Sequence, residues 1–589
     1  MHAQGSLARS ATPSRFISDT GSRYKHRLCA LHSYRSEAPH LQRNYGCSSA
    51  FATSMPYLSP NIRRETLVRA EERDSLLEAP QTDISAVAIA PREVDWLMTS
   101  LVFLFPAIGG LLFGYDIGAT SGALVSITSQ QTSGTDWYSL SPFKSGLVVS
   151  SSLFGALAGS VGAFFLGDKL GRRRELMLAA CLYGAAAVLL FFAPSYPLLL
   201  TGRVMYGLGI GFAMHAAPAY IAETASASVR GLLISLKEGF IVGGILLGYL
   251  ASALWVGDTG GWRYMYGAAL PPALIVFAGM VSPSSELLPL LRLFFLSLFF
   301  FFLCTPSSSS SHGVIAWLPE SPRWLLLSGA SREQAERAVR RAWGSSGSDS
   351  QAIQQEVSNM LQDSPTSAPG GLAALFSGRN VKPLLIGSSL MLFQQITGQP
   401  SVLYYAAKIF KDAGFASDSD ATRVSVVLGF FKLVMTGVAV ATVDSVGRRP
   451  LLLGGVAGLV LSLLALSGAQ TLVKGDFATW VSVVGLLSYT AAYQVSFGPI
   501  SWLMVGETFP LSVRGQAAAF ATFTNFGSNF LVSLVLPSLE DKAGLGATYL
   551  IFAGIGVVAL GSIYATVPET KGKTLEEIEA FWEEDDKGS

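Results

Sequence analysis

The chain has 589 residues, of which 50% are hydrophobic and 14% charged, against about 25% charged in a soluble domain. Its 41 Lys and Arg nearly balance 40 Asp and Glu, for a net charge of +1. An ordinary soluble enzyme is excluded, and no global basic field points to nucleic acid.

Residues 1–95 form an N-terminal segment of their own. The first 60 are Ser-rich and carry Arg9, Arg15, Arg23, Lys25, Arg27, Arg35 and Arg43 against Asp19 and Glu37, with no apolar core of a secretory signal. That is the composition of an organelle transit peptide; a disordered tail is the alternative. Nearer the membrane, Glu72 to Leu77 forms an acidic dileucine pattern of the kind sorting adaptors read.

Hydrophobic stretches then recur at 97–124, 143–167, 174–193, 197–222, 231–256 and 263–281. Stretches of about 20 residues, at about 1.5 Å per residue, cross a hydrocarbon core of about 30 Å. Six more follow at 382–411, 421–443, 449–469, 478–507, 515–540 and 545–567. The prediction is an all-α polytopic membrane protein with 12 transmembrane helices in two six-helix halves, 96–281 and 381–567. A central loop, 317–380, contains a charged helical pattern from Ser331 to Trp343, and 568–589 is a tail.

The halves repeat. Gly167 to Arg173 is echoed by Val443 to Arg449, the Glu223 to Gly231 segment by Glu507 to Gly515, and Pro319-Glu320-Ser321 by Pro568-Glu569-Thr570. Such duplication is typical of transporters. Residues 282–316 break the period with an apolar run, Leu287 to Leu303, and five serines, Ser307 to Ser311. A thirteenth span there would scatter Arg172 to Arg174, Arg230, Arg448, Arg449 and Arg514 to both sides, whereas twelve spans keep them on one side, as the positive-inside rule expects. Phe, Leu, Ser and Pro share pyrimidine-rich codons, so the run reads as a translated intron end.

Asp116 lies amid apolar and small residues in Gly109 to Gly122. A carboxylate there is costly to keep ionised, so it is a candidate proton carrier, and Arg203, which opens the fourth stretch, is its candidate partner. A permanent ion pair without proton traffic is the bland alternative. In the Gly167 to Arg173 turn, Asp168 is suited to a helix N-terminus and Arg172 to the positive side, with Asp444 and Arg448 their counterparts. His215 is a lone histidine, read as packed. Gly207-Leu-Gly-Ile-Gly211 lies inside a span and is no dinucleotide loop. The four cysteines, Cys29, Cys47, Cys181 and Cys304, show no metal or disulfide framework, and neither metal nor cofactor is expected.

Further motifs complete the set: Pro319 to Arg323, Gln394-Gln395-Ile-Thr-Gly398, Tyr404-Tyr405, Gly498-Pro-Ile-Ser-Trp502, Glu507-Thr-Phe-Pro510 and Pro568 to Gly572. Together they resemble the sugar porter family of the major facilitator superfamily over residues 95–580. The variants Ser235 to Glu238, Gln399 to Val402 and Ser496 to Pro499 look like a plant group of proton symporter-like members, the plastidic kind above all.

The resemblance implies that Asp116 and Arg203 are the proton-linked pair and that Gln394, Gln395, Tyr404, Trp502 and Asn525 line a sugar site. Amides offer donors and acceptors to hydroxyls, and an aromatic face packs on a pyranose ring. Glu223, Arg230, Glu507 and Arg514 would close the basic side as charge contacts. Where relatives commonly place sugar-binding amides, this chain has Glu238, Pro400 and Lys432; Glu238 and Lys432 are expected to pair across the two halves. The implied activity is monosaccharide transport, of hexose or pentose, by alternating access with proton symport and no covalent chemistry. A proton-independent facilitator and a sugar sensor are the alternatives, the short tail telling against the sensor. The expected partners are sugar, proton and lipid bilayer, the expected state a monomer, and the expected membrane the plastid envelope inner membrane, with the vacuolar membrane as alternative.

Overall fold

The structure, a computed structural model, describes residues 94–280, 318–344, 350–362, 375–412, 414–415, 417–472, 476–510 and 513–573, with Glu577, Ile578 and Trp582 of the tail. The transit-like segment up to residue 93 and the 282–316 stretch lie outside the described residues. Among the described residues every long regular element is a helix.

The first half comprises α1 (Trp96–Thr128), α2 (Pro142–Leu170), α3 (Arg172–Phe191), α4 (Tyr196–Thr224), α5 (Ala227–Trp255), α6 (Gly261–Gly267) and α7 (Leu270–Met280). Three short helices follow in the central loop: α8 (Pro322–Leu327), α9 (Arg332–Trp343) and α10 (Ser350–Gln362). The second half comprises α11 (Val381–Ile396), α12 (Gln399–Tyr404), α13 (Ala406–Asp412), α14 (Asp418–Val446), α15 (Arg448–Leu472), α16 (Asp476–Val495), α17 (Phe497–Thr508), α18 (Arg514–Ala543) and α19 (Leu545–Thr566).

Among the described residues nine helices are long and apolar enough to cross a bilayer: α1 to α5, α14, α15, α18 and α19. The sixth, seventh and tenth predicted stretches are each broken instead of continuous. The sixth is interrupted between α6 and α7, just before Pro271-Pro272, and the tenth at Ser496, just before Gly498-Pro499. The seventh breaks at Gly398, whose φ of 99° is a left-handed conformation that glycine alone adopts without strain, followed by Pro400. Proline and glycine open the helical ladder there, and non-helical backbone at membrane depth is tolerated where protein buries it.

Close helix crossings explain much of the glycine content. A methyl group on Gly114 of α1 would stand 1.8 Å from the Ile241 carbonyl oxygen of α5. One on Gly207 of α4 would stand 1.9 Å from the Ser152 carbonyl oxygen of α2. Small residues thus let backbones touch where lipid supplies no hydrophobic drive between helices. The outward faces expose Leu254, Phe430, Leu461, Leu531 and Val558, a surface matched to acyl chains and not to water.

The halves meet through α2 with α18 and α5 with α14. Phe154 packs on Phe530 with ring centroids 5.8 Å apart. The Tyr249 hydroxyl donates to the Leu403 carbonyl at 2.8 Å, and the Ala407 backbone N–H donates to Ser121 Oγ at 3.1 Å. These last two contacts lie toward the end of the bundle away from the arginine loops, because Tyr249 is late in α5 whereas Arg230 is near its start.

Candidate functional site

Asp116, from the middle of α1, and Arg203, from the first turns of α4, form a direct ion pair, and both side chains are wholly buried. Arg203 is held from three further sides. Its Nε donates to the Val148 carbonyl at 3.1 Å, its Nη2 to the Val149 carbonyl at 3.3 Å and to Ser152 Oγ at 2.9 Å. The Tyr266 ring lies 5.1 Å from the guanidinium carbon. Ser152 Oγ donates in turn to the second Asp116 oxygen at 2.9 Å. A charge in the apolar interior survives when paired and fully bonded, and α2 supplies those bonds.

A second polar cluster lies where the broken helices meet. Gln394, at the end of α11, donates through Nε2 to the Phe497 carbonyl at 2.7 Å, beside the α16/α17 break. Its Oε1 accepts from Asn525 Nδ2 of α18 at 2.6 Å and from Gln395 Nε2 at 3.3 Å. The structure therefore brings Gln394, Gln395 and Asn525 together. Tyr404 is buried at the end of α12. Trp502 of α17 is half-buried against a cluster that includes Met391 and Val505, and Met391 Sδ lies 3.5 Å from Asn525 Nδ2.

The buried polar atoms of these helices that find no protein partner include Gln395 Oε1, Ser401 Oγ, the Tyr404 hydroxyl, Gln494 Nε2 and Ser501 Oγ. Buried donors and acceptors are ordinarily paired. A group of unpaired ones, both amide and hydroxyl, suits a ligand rich in hydroxyls.

The expected Glu238–Lys432 ion pair is not formed. Lys432 Nζ donates to Gln494 Oε1 at 2.5 Å and lies 5.1 Å from the centre of the Tyr493 ring. Glu238 stays within electrostatic range of Lys432 without contact. Tyr493 and Gln494, near the end of α16, occupy the space around the Lys432 ammonium instead. Gln494 is a residue that sequence reasoning missed.

On the arginine side each half builds the same clasp. In the first half Glu223 faces Arg172 at 3.6 Å and accepts from Ser321 Oγ. In the second, Glu507 accepts from Arg448 Nη2 at 3.0 Å and from Thr570 Oγ1 at 2.6 Å, and Asp444 pairs with Arg448 at 3.0 Å. Asp168 lies in α2, but its side chain is outside the described residues. Arg230 meets Glu356 of α10 at 3.5 Å, tying α5 to the central loop, and Arg514 Nε donates to the Phe509 carbonyl at 3.2 Å. The charge contact of Arg230 is thus with the central loop. Sequence reasoning noticed the repeats of Glu320 and Glu569 but assigned them no place; they cap α3 and α15. His215, read as packed, is bonded through Nδ1 to buried Glu175 Oε1 at 2.7 Å.

The family model described as sugar (and other) transporter matches residues 102–285 and 298–582. The chain belongs to that family. It is 44% identical over 544 residues to the chloroplastic D-xylose-proton symporter-like 3 of Arabidopsis thaliana, covering 90% of this chain and 91% of the relative. It is 35% identical to the D-xylose transporter of Levilactobacillus brevis, over 82% of this chain and 95% of that one. The xylose transporter XylE of E. coli, in a partially occluded inward-open conformation, superposes with a TM-score of 0.63 at 28% identity, covering 81% of this chain and 100% of that one. The fold is that of the major facilitator superfamily, and the family is one of transporters and not of enzymes. The protein is an integral membrane transporter of sugar-transporter type.

Proposed function

We propose that the protein carries a monosaccharide, hexose or pentose, by alternating access and couples it to a proton. The observation that carries this reading is a wholly buried Asp116–Arg203 pair in one half and, in the other, buried amides and hydroxyls that lack partners. The sugar enters the second cluster, where Gln395 Oε1 accepts from its hydroxyls, Gln494 Nε2 donates to them and the Tyr404 hydroxyl does either, with Trp502 as the apolar wall. Gln394 and Asn525 hold this shell in shape, and Lys432, with Glu238 nearby, fixes Gln494. The proton enters at Asp116, and Arg203 sets when it leaves. Clasps built on Arg172, Glu223, Arg448 and Glu507, with Arg230 and Arg514 beside them, govern opening on the arginine side. The contacts of Tyr249 and Ala407 on the other side support an inward-facing state.

The membrane we assign is the plastid envelope inner membrane, supported by the composition of residues 1–60 and by the chloroplastic relative at 44% identity. A fusion of residues 1–95 to a fluorescent reporter tests it: plastid import is expected, and vacuolar labelling would transfer the protein to that membrane. We assign a monomer as the working unit. The gap in the family match, residues 286–297, falls within the stretch that breaks the repeat and supports an insertion there; we extend it to 282–316 on the repeat offset alone.

Uptake of radiolabelled glucose and xylose into liposomes carrying the protein without residues 282–316 tests the substrate class. Saturable uptake of one or both, competed by the other unlabelled, is expected; no uptake of either would reopen the sensor reading.

A further inference from the structure

We infer that Ser152 is the positioning residue that lets Asp116 gain and lose its proton without leaving a buried group unpaired; this rests on the proton-coupled reading above. A serine hydroxyl has one hydrogen to give and two lone pairs to receive with. In the structure that hydrogen is directed at Asp116 Oδ2 at 2.9 Å, while one lone pair accepts from Arg203 Nη2, also at 2.9 Å. A second acceptor waits within reach: the Val149 carbonyl, 3.4 Å from the same Oγ.

The two acceptors correspond to the two protonation states of the carboxylate. With Asp116 ionised, Ser152 gives its hydrogen to Oδ2. When a proton arrives from water and binds Oδ2, the new O–H needs an acceptor. Rotation of the Ser152 hydroxyl toward Val149 exposes its free lone pair to that O–H, and the bond from Arg203 is kept throughout. Without the hydroxyl, the ionised carboxylate lacks one donor and the protonated form lacks its acceptor. The first loss is the larger, because hydrogen bonds to a charged group are roughly twice as strong as neutral ones.

The other titratable groups that face Asp116 are phenols on five elements and the guanidinium: Tyr115 of α1, Tyr183 of α3, Tyr206 and Arg203 of α4, Tyr266 of α6 and Tyr404 of α12. Free phenols and guanidinium groups keep their protons well above cellular pH. Under the proton-coupled reading the exchange is therefore assigned to Asp116 and not to these neighbours. A hydroxyl that neither titrates nor carries charge then acts only by orienting its neighbours.

The test compares the wild type with Ser152→Ala and Ser152→Thr by the pH of half-maximal sugar uptake into liposomes. The same three proteins are titrated by the pH dependence of sugar binding, read from tryptophan fluorescence in detergent, so that a variant unable to turn over is still measured. In Ser152→Ala the midpoint is expected to move to higher pH by about one unit, a tenfold change in proton affinity, with Ser152→Thr returning it toward the wild-type value. A Ser152→Ala midpoint within about 0.2 units of wild type, in either measurement, would overturn the assignment. A wild-type profile flat in pH with sugar uptake intact would instead remove the proton-coupled reading, and the role of Ser152 with it.

Discussion

Glu320 and Glu569 occupy the same place in the two halves, each with its carboxylate over the start of the helix that follows the arginine loop. Glu320 Oε1 accepts from the Arg173 backbone N–H at 2.9 Å. Glu569 accepts from the Arg448 and Arg449 backbone N–H groups at 3.1 and 3.0 Å. Each cap sits against a left-handed glycine, Gly171 with φ 88° and Gly447 with φ 108°, which leaves room for the carboxylate. The anion thus meets unpaired N–H groups at the positive end of a helix.

The two caps differ in charge behaviour. Burial would raise the pKa of Glu569, but backbone donors from Lys571, Arg448, Arg449 and Thr570 outweigh it and hold the carboxyl below the ordinary value. For Glu320 burial prevails over the bonds from Arg173 and Ser321 and pushes it up. A depressed carboxyl contributes stability above its unfolded pKa and loses it as pH falls through the folded one. Glu569→Gln should therefore lower the thermal midpoint in detergent at pH 7, with the gap to wild type closing below about pH 4. The Glu320 carboxyl works the other way, so Glu320→Gln should cost less at pH 7 than Glu569→Gln. Equal losses at every pH for both would contradict the assignment.

Removing one member of the buried ion pair strands the other. Arg203→Met should destabilise the folded protein by about 3–5 kcal/mol, seen as early unfolding in detergent. Restoring neutrality with Asp116→Asn in the same chain should recover part of that loss. A double variant no more stable than Arg203→Met would show that the arginine acts through its bonds to Val148, Val149 and Ser152 alone.

The helix crossings predict a sharp positional contrast. Gly114→Val forces a methyl into the Ile241 carbonyl, whereas an added Cβ at Gly554 of α19 meets nothing within 4 Å. The first should abolish the monodisperse peak on size exclusion in detergent, and Gly554→Ala should elute as wild type.

Gln494 and Lys432 should act as a unit. Gln494→Leu leaves the buried Lys432 ammonium without its acceptor, and Lys432→Met leaves the amide free to turn. Each should raise the half-saturation constant for sugar about tenfold or more, and the double variant should cost less than the two effects multiplied together. Independent effects would show that Lys432 is held by Tyr493 and Glu238 instead.

The spans are legible because hydrophobic length is a local property, and the duplicated halves because Asp-x-x-Gly-Arg-Arg and Ser-Val-Arg-Gly recur in the loops of both. The breaks in the sixth, seventh and tenth stretches were not, since apolar composition continues through Ala268-Ala269 and through Ser496 although the backbone does not. That Asp116 and Arg203 meet could be read from two charges in apolar stretches. Ser152 could not, because it stands in the run Ser150-Ser151-Ser152 and only the helical phase of α2 selects the third. The partner of Lys432 was misjudged for a related reason. Facing helices point to Glu238, whereas Gln494, near the end of α16, makes the contact.

The most direct test of proton coupling is sugar accumulation in liposomes with and without an imposed pH gradient, for wild type and Asp116→Asn. The account predicts accumulation above equilibrium only with the gradient, and equilibration without accumulation in Asp116→Asn. Accumulation by Asp116→Asn equal to that of the wild type, or wild-type uptake indifferent to the gradient, would contradict it and leave a facilitator whose buried ion pair serves the fold alone.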